Sequence, residues 1–218
     1  MKRVFGTLIL AALAATASLA HAEPGELVLR TGSKLWLTGS STVHDYSSQA
    51  SSLEVAFRCD PALWPADATG GDAIEGLIRA KGVTTIDVVV SVTGLKSGKD
   101  GLDRNMYKAL LAPQHPEIRF TMAGYAIGAV SDSAGTAIDA RGTLKVAGVE
   151  REILMSATAR REGDAVRLRC DVPLLMTQFG IKPPKMMLGA IRTSDKVVVH
   201  IDLVIGAGNA AAATTGTE

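Results

Sequence analysis

The residues that most resemble a catalytic group lie near the N-terminal end, where the hydroxyl-rich segment 40–42 precedes His44 and Asp45. A hydroxyl, a histidine and an aspartate are the parts of a hydrolase triad. The sequence has no Gly-x-Ser-x-Gly nucleophile elbow, the turn that exposes the serine in one large class of hydrolases. We interpret His44 and Asp45 as hydrogen-bonding groups at the rim of a fold and assign no catalytic residue.

Residues 94–101, Gly-Leu-Lys-Ser-Gly-Lys-Asp-Gly, resemble a phosphate-binding loop. A phosphate-binding loop has four residues between its two glycines, but Gly94 and Gly98 have only three between them. Asp100 also stands where a serine or threonine would bind magnesium. An acidic residue there repels phosphate. The segment is therefore predicted to be a turn between a strand and a helix.

No metal site is predicted. His44, His115 and His200 are far apart in the sequence, and neither Cys59 nor Cys170 has a second cysteine or a histidine at ligand spacing. No cofactor is expected.

The elements that hold these residues are mostly strands, because apolar residues recur at every second position in segment after segment. Strands are predicted at 27–30, 34–38, 53–59, 73–79, 84–95, 118–122, 138–146, 153–159, 166–172 and 195–205. Tight turns are predicted at residues 147–148 and 163–164. About eight strands in meander order favour an all-β fold, an eight-stranded antiparallel barrel.

One short amphipathic helix interrupts this pattern. Leu102, Met106 and Leu110 are spaced four residues apart with polar residues between them, which is typical of a helix with one apolar face. Asp100 precedes the helix and Pro113 ends it. We expect its apolar face to cover an open end or a flank of the barrel.

The chain is predicted to be exported. Residues 1–22 read as a cleaved signal peptide, since Lys2 and Arg3 precede an apolar run that ends at Ala20-His21-Ala22. The run is too short and alanine-rich for a membrane span. Residues 23–205 are predicted to form one domain, residues 206–218 a disordered tail, and the periplasm is the expected location. Removing Lys2 and Arg3 from a net charge of +1 leaves −1, which gives no electrostatic reason to bind nucleic acid.

Two alternatives are open for the cysteines. In an exported protein, Cys59 and Cys170 can form one disulfide. They can equally be buried free thiols that pack as small apolar side chains.

The inner wall of the barrel combines small and medium-sized residues. Gly124, Ala140, Gly142, Ala157 and Ala159 fall in apolar phases, and aromatic residues make up 4% of the chain. An eight-stranded barrel holds one small ligand when its inward residues are not bulky, so the pattern favours an apolar cavity over a packed core. A packed barrel that docks a partner protein, and an enzyme using His44 and Asp45, remain as alternatives.

The segment 176–191 is predicted to be an ordered loop, because Pro183 and Pro184 exclude a regular helix or a central strand. Its phenylalanine and methionines, including Met186 and Met187, suit either a lid over the core or the lip of a ligand entrance.

The order of several segments resembles the YceI-like family of exported proteins. They are Leu102-Asp103-Arg104-Asn105-Met106, Pro116-Glu117-Ile118-Arg119-Phe120, residues 142–149, Phe179-Gly180-Ile181 and the closing strand from Asp195. The resemblance implies a lipocalin-like eight-stranded barrel whose pocket binds polyisoprenoid chains, such as those of isoprenoid quinones, for carriage or storage.

The expected partner is therefore an apolar isoprenoid lipid, with the protein a monomer or a weak homodimer. Apolar residues of the strands, the helix and the loop supply the predicted ligand-binding set: Leu53, Val55, Phe57, Val88, Val90, Met106, Leu110, Phe120, Met122, Leu144, Met155, Leu168, Phe179, Ile181, Val199 and Ile201.

Overall fold

The computed structural model describes residues 26–131, 135–186 and 191–208. The predicted signal peptide, most of the predicted tail, and Met187 lie outside these residues. The described strands are β1 (Leu27–Leu29), β2 (Lys34–Ser41), β3 (Asp45–Ala50), β4 (Glu54–Cys59), β5 (Val83–Ser91), β6 (Leu95–Lys96), β7 (Glu117–Ser131), β8 (Gly135–Val146), β9 (Val149–Glu162), β10 (Ala165–Leu175), β11 (Lys185–Met186) and β12 (Ile191–Ala207). The helices are α1 (Gly70–Arg79) and α2 (Asp100–Ala109).

The strands form one antiparallel sheet that curls into a barrel-like shape. Hydrogen-bonded neighbours follow the order β4-β5-β7-β8-β9-β10-β12-β2-β3-β6, and β1 and β11 both pair with β12. The ends of this path are β4 and β6, which do not pair among the described strands, and residues 51–53 connect β3 to β4. The predictions of an all-β, antiparallel fold are confirmed.

The predicted number of eight strands is wrong, since the described part of the chain has twelve strand segments. Several long stretches are interrupted where the backbone bends. β1 and β2 both pair with β12 but are separated by a turn, and a 3₁₀ turn, Val92–Gly94, separates β5 from β6. β3 was not predicted because its sequence, Asp-Tyr-Ser-Ser-Gln-Ala, is mostly polar.

Helix α1 corrects the prediction of a strand at 73–79, and with it the prediction of a single helix. Ala73, Ile74, Leu77 and Ile78 are its buried apolar side chains, and this spacing places them on one face of a helix. Short apolar runs are ambiguous between helix and strand. Gly70 and Gly71 at the start of α1 also favour a loop over a helix in the sequence.

α1 fills one end of the interior. It packs against β9, β10 and β12, and Ile74 and Leu77 are completely buried. The same apolar cluster contains Ala140, Ala157 and Ala159. The sequence predicts that these small residues leave empty space. In the structure they do not, because α1 occupies that space.

Helix α2 extends from Asp100 to Ala109 and ends before Pro113, as predicted. Its N-cap is Lys99, so Asp100 is the first residue of the helix and not the predicted residue before it. Two side chains fasten it to the preceding segment. Asp103 is buried, and its Oδ1 accepts hydrogen bonds from Ser97 N at 2.8 Å and from Ser97 Oγ at 2.5 Å. The Tyr107 hydroxyl donates to the carbonyl oxygens of Thr93 and Leu95, at 3.0 and 2.7 Å.

Cys59 and Cys170 are both free thiols, which is the second of the two alternatives, and no disulfide joins them. Both belong to the apolar cluster that contains α1. Burial raises the pKa of each thiol, that of Cys170 to about 11 with a contribution from Asp171. Both thiols are therefore protonated at neutral pH, and a protonated thiol is a poor nucleophile.

The predicted turn at residues 147–148 joins β8 to β9, where Val146 pairs with Val149. Ala147 and Gly148 both have positive φ angles, 48° and 82°, as a type I′ hairpin turn requires. The last strand, β12, continues through Gly206 to Ala207, where it pairs with β1. Ordered structure thus extends two residues into the predicted tail.

Replacing Gly148 by alanine is expected to lower the free energy of unfolding by about 2 kcal/mol or more. An alanine at this φ carries a backbone strain of about 1–2 kcal/mol, and its Cβ would lie 2.5 Å from His115 Nε2. Gly163→Ala is the matched control, because φ is +63° there and no atom lies within 4 Å of the added Cβ. Urea denaturation should give a larger loss for Gly148→Ala; equal losses would contradict the contact with His115.

The hydrogen bonds from Ser97 hold the pKa of Asp103 below its ordinary value. Its contribution to stability is therefore fully present above about pH 4, the ordinary carboxyl pKa, and is lost as the pH falls through the lowered pKa. We expect Asp103→Asn to destabilise the protein by about 1–2 kcal/mol at pH 7, with a smaller difference from wild type at pH 3. Urea denaturation at both pH values measures this.

Asp100→Asn is the control for that comparison. It removes a carboxylate from the same helical turn but does not touch the bonds to Ser97. An equal loss in both variants would attribute the effect to charge at the start of α2.

Candidate functional site: an apolar cavity

The end of the interior that α1 does not fill contains a cavity of about 250 Å³. Its wall is the inner face of the curled sheet, and α2 and the segment 175–184 cover it. Most of its lining side chains are aliphatic or aromatic. A cavity of about 150 Å³ lined by such residues stays free of water and accepts a small apolar molecule, so this one is large enough for an apolar ligand.

Strand alternation determines which residues reach the cavity. Along β8, every second residue from Thr136 to Val146 is buried. The residues nearest α1 belong to the packed cluster, whereas Leu144 and Val146 line the cavity. Gly142 lies between these two regions, and the Phe120 ring covers the place where a side chain would be. One strand thus contributes to both the solid and the hollow part of the interior.

The cavity brings together most of the predicted ligand-binding residues. Those in its lining are Val88, Val90, Met106, Leu110, Phe120, Leu144, Met155, Phe179, Ile181, Val199 and Ile201.

The other five predicted residues lie away from the cavity lining. Met122 is buried in the cluster around α1, and Leu53, Phe57 and Leu168 pack against that cluster. Val55 is partly buried on β4. The alternation of apolar residues predicts that all of these side chains face the interior of the sheet. It does not show that α1 covers part of this inner face.

Sequence reasoning missed many lining residues. They are Leu35, Leu37, Ser41, His44, Tyr46, Ser48, Leu95, Leu102, Asn105, Ala109, Ile118, Val146, Ile153, Val172, Leu174, Leu175, Met176, Pro184, Thr193 and Val197. For Leu35 and Leu37 the signal was present, because they alternate within a predicted strand. For Tyr46 and Ser48 no signal existed, because β3 lacks apolar alternation.

The segment 176–184 contributes side chains to the wall of the cavity. A 3₁₀ turn, Met176–Phe179, precedes Gly180, and Phe179 and Ile181 are buried against β8 residues such as Leu144. Thr177 fastens this turn to β12, because its N and Oγ1 donate to the Asp195 carboxylate at 2.9 and 2.6 Å. Met176, Phe179, Ile181 and Pro184 of this segment line the cavity.

His44 and Asp45 do not form a catalytic group with the neighbouring hydroxyls. His44 is exposed at the end of the cavity wall, and its Nδ1 is 3.5 Å from Ser41 Oγ. The Ser41 hydroxyl instead donates to the His44 carbonyl oxygen at 2.9 Å. Asp45 lies in a shallow groove outside the cavity. His44 has a side-chain contact at the rim, with Ser41, and the hydrogen-bonding role of Asp45 stays a prediction.

His200 lies on the outer face of β12, since its neighbours Val199 and Ile201 line the cavity. It is not simply solvated. Its ring stacks on Trp36 at a centroid distance of 4.9 Å. Its Nδ1 is 2.7 Å from Asp171 Oδ1, and its Nε2 is 2.9 Å from Thr38 Oγ1. These contacts link the outer faces of β2, β10 and β12 away from the cavity.

Within the described residues, no three histidine, cysteine, aspartate or glutamate side chains come close enough together to hold a metal ion. None of the helices in the described part of the chain has the length and apolar character needed to cross a membrane. The polar side chains in the cavity wall are few: Ser41, His44, Tyr46, Ser48, Asn105 and Thr193. The arrangement is suited to enclosing an apolar molecule.

Solved structures share this fold. BcnA of Burkholderia cenocepacia is similar with a TM-score of 0.58 and 14% identity over 79% of this chain and 95% of that one. A polyisoprenoid binding domain from Saccharophagus degradans, implicated in plant cell wall breakdown, has a TM-score of 0.56 and 15% identity over 86% and 100%. A YCEI protein of Campylobacter jejuni has a TM-score of 0.50 and 15% identity over 72% and 82%.

At these identities the similar structures establish the fold alone. No curated protein matches the sequence. The model of the YceI-like domain matches residues 40–205, which is most of the chain. The chain therefore belongs to the YceI-like family.

Proposed function

We propose that this protein binds a polyisoprenoid or isoprenoid-quinone-like lipid in its cavity and carries or stores it in the periplasm. The observation that carries the proposal is the 250 Å³ cavity with its largely apolar wall. Membership in the YceI-like family and the fold shared with a polyisoprenoid binding domain support it.

The hydrophobic effect supplies the affinity. Each methylene group that leaves water for an apolar site contributes about 0.8 kcal/mol. A branched isoprenoid chain offers many such groups and no polar ones. Met106, Met155 and Met176 in the wall have flexible side chains that adapt to an irregular ligand shape. Selection in this cavity therefore depends on chain volume and shape more than on directional bonds.

Export and location are part of the proposal and rest on the sequence. Lys2, Arg3 and the small residues around His21 form the expected signal peptide, and the described domain follows from Glu26 onward. A lipid with a long chain needs a protein to cross an aqueous compartment, which gives an exported binding protein a physical purpose. We propose a monomer or a weak dimer.

Binding rather than catalysis is the role that the geometry favours. The hydroxyls near His44 are not arranged as a triad. The alternative of a solid barrel that only docks a partner protein is less well supported, because the interior at the α2 end is hollow.

Protein purified from the periplasm of its natural host should contain a co-purified prenyl lipid. The buried, apolar lining predicts that the lipid resists washing in aqueous buffer but not organic solvent. Extraction with chloroform and methanol followed by mass spectrometry tests this. Repeated recovery of protein without any prenyl compound would contradict the proposed ligand.

Tryptophan at Val90 or at Leu144 should abolish most lipid binding while the fold survives. Both side chains line the cavity, and the larger ring would occupy the space of the ligand. Thr143→Trp is the matched control, because Thr143 is exposed on the outer face of β8 next to Leu144. Titration with a fluorescent prenyl analogue should show at least about a tenfold loss for Val90→Trp and Leu144→Trp only, which corresponds to about 1.4 kcal/mol. Circular dichroism verifies the fold.

A further inference from the structure

Strand β3 brings polar side chains into the wall of the apolar cavity. His44, just before the strand, and Tyr46 and Ser48 within it all line the cavity at every second position. Burial increases along this series: His44 is exposed, Tyr46 is half-buried and Ser48 is 1% exposed. The rise per strand residue is about 3.3 Å, so Ser48 lies about 13 Å along the strand from His44.

The Ser48 hydroxyl is buried without a hydrogen-bond partner among the described residues. Its neighbour across the strand pair is Leu37, which has no polar atom in its side chain. Most buried hydroxyls in proteins are hydrogen-bonded, so an unpaired one requires an explanation. A threonine on β8, Thr136, has the same property but does not line the cavity.

Tyr46 adds a second hydroxyl to the same wall. Its ring lies across Gly39 on β2, where any side chain would collide with it. Burial raises the pKa of the Tyr46 phenol, so the group stays protonated at neutral pH and is able to donate a hydrogen bond. β3 therefore presents two hydroxyl donors, Tyr46 and the deeper Ser48, in a wall that is otherwise nearly apolar.

We propose that the lipid carries a hydrogen-bond-accepting oxygen, and that the Ser48 hydroxyl donates to this oxygen inside the cavity. The inference rests on the proposed function and narrows it. The ligand is an oxygenated isoprenoid, with a carbonyl, ether or hydroxyl oxygen that is held within the wall instead of at the rim. A pure hydrocarbon of the same length leaves the Ser48 hydroxyl unpaired and binds more weakly.

The test compares two probes and four proteins. The probes are farnesylacetone, whose ketone oxygen only accepts hydrogen bonds, and the 18-carbon hydrocarbon in which a methylene replaces the carbonyl. The proteins are the wild type, Ser48→Ala, Ser47→Ala and Thr136→Val. Ser47 is exposed on the opposite side of β3, and Thr136→Val removes the other unpaired hydroxyl outside the cavity. Displacement of a fluorescent fatty acid from delipidated protein gives the affinities.

The wild type should bind the ketone more tightly than the hydrocarbon. Ser48→Ala should weaken ketone binding about three- to tenfold, the range expected for one neutral hydrogen bond, and leave hydrocarbon binding unchanged. Both control variants should retain the wild-type preference. The melting temperature of the ligand-free Ser48→Ala protein should not fall, because no internal hydrogen bond is lost.

The outcomes separate this inference from the proposed function. If both probes bind equally well to the wild type and to Ser48→Ala, the oxygen contact is overturned and the isoprenoid cavity stands. A lower melting temperature of ligand-free Ser48→Ala would show that the hydroxyl is already bonded within the protein, which also overturns the inference. If neither probe binds the wild type, both proposals fail together.

Discussion

The unequal filling of the interior is the constraint on which the rest of this structure depends. A curled sheet must bury its inner face, and in this chain one apolar helix does so at one end only. Ile74 and Leu77 of α1 are completely buried among small residues of β8 and β9. Helix α2 lies over the other end and leaves a cavity beneath it. The solid end stabilises the fold, so the hollow end does not have to.

This division explains how one sheet serves both stability and binding. Packed apolar contacts supply most of the folding free energy, and here they concentrate around α1. The side chains that line the cavity near α2 lack some of these packed contacts. A ligand that fills the cavity restores the lost contacts, so binding and stability are coupled in this fold. Ordered anchors at Asp103 and Thr177 keep the covering segments in place around the hollow end.

Of the few polar groups in the cavity wall, Ser41, Tyr46 and Ser48 come from β2 and β3, and the sequence of β3 is not typical of a buried sheet. Tyr46 and Ser48 enter the wall because β3 pairs with β2 and so shares its alternation. A hydroxyl placed there costs free energy unless something accepts its hydrogen bond. Under the proposed function, the apolar majority of the wall selects lipids by chain volume and shape, and such a hydroxyl adds a preference for a lipid that carries an oxygen atom at this position.

The sequence alone determined the all-β fold, the position of α2, the turn at Ala147 and Gly148, and the family, because local periodicity and turn geometry depend on neighbouring residues. It also identified most apolar residues that face inward. Only the tertiary structure decided which part of the inner face stays open. The segment of α1 is too short to distinguish helix from strand by its pattern, and β3 enters the wall only through its register with β2. Whether Cys59 and Cys170 are free or bridged likewise depends on how distant segments pack, which no local pattern encodes.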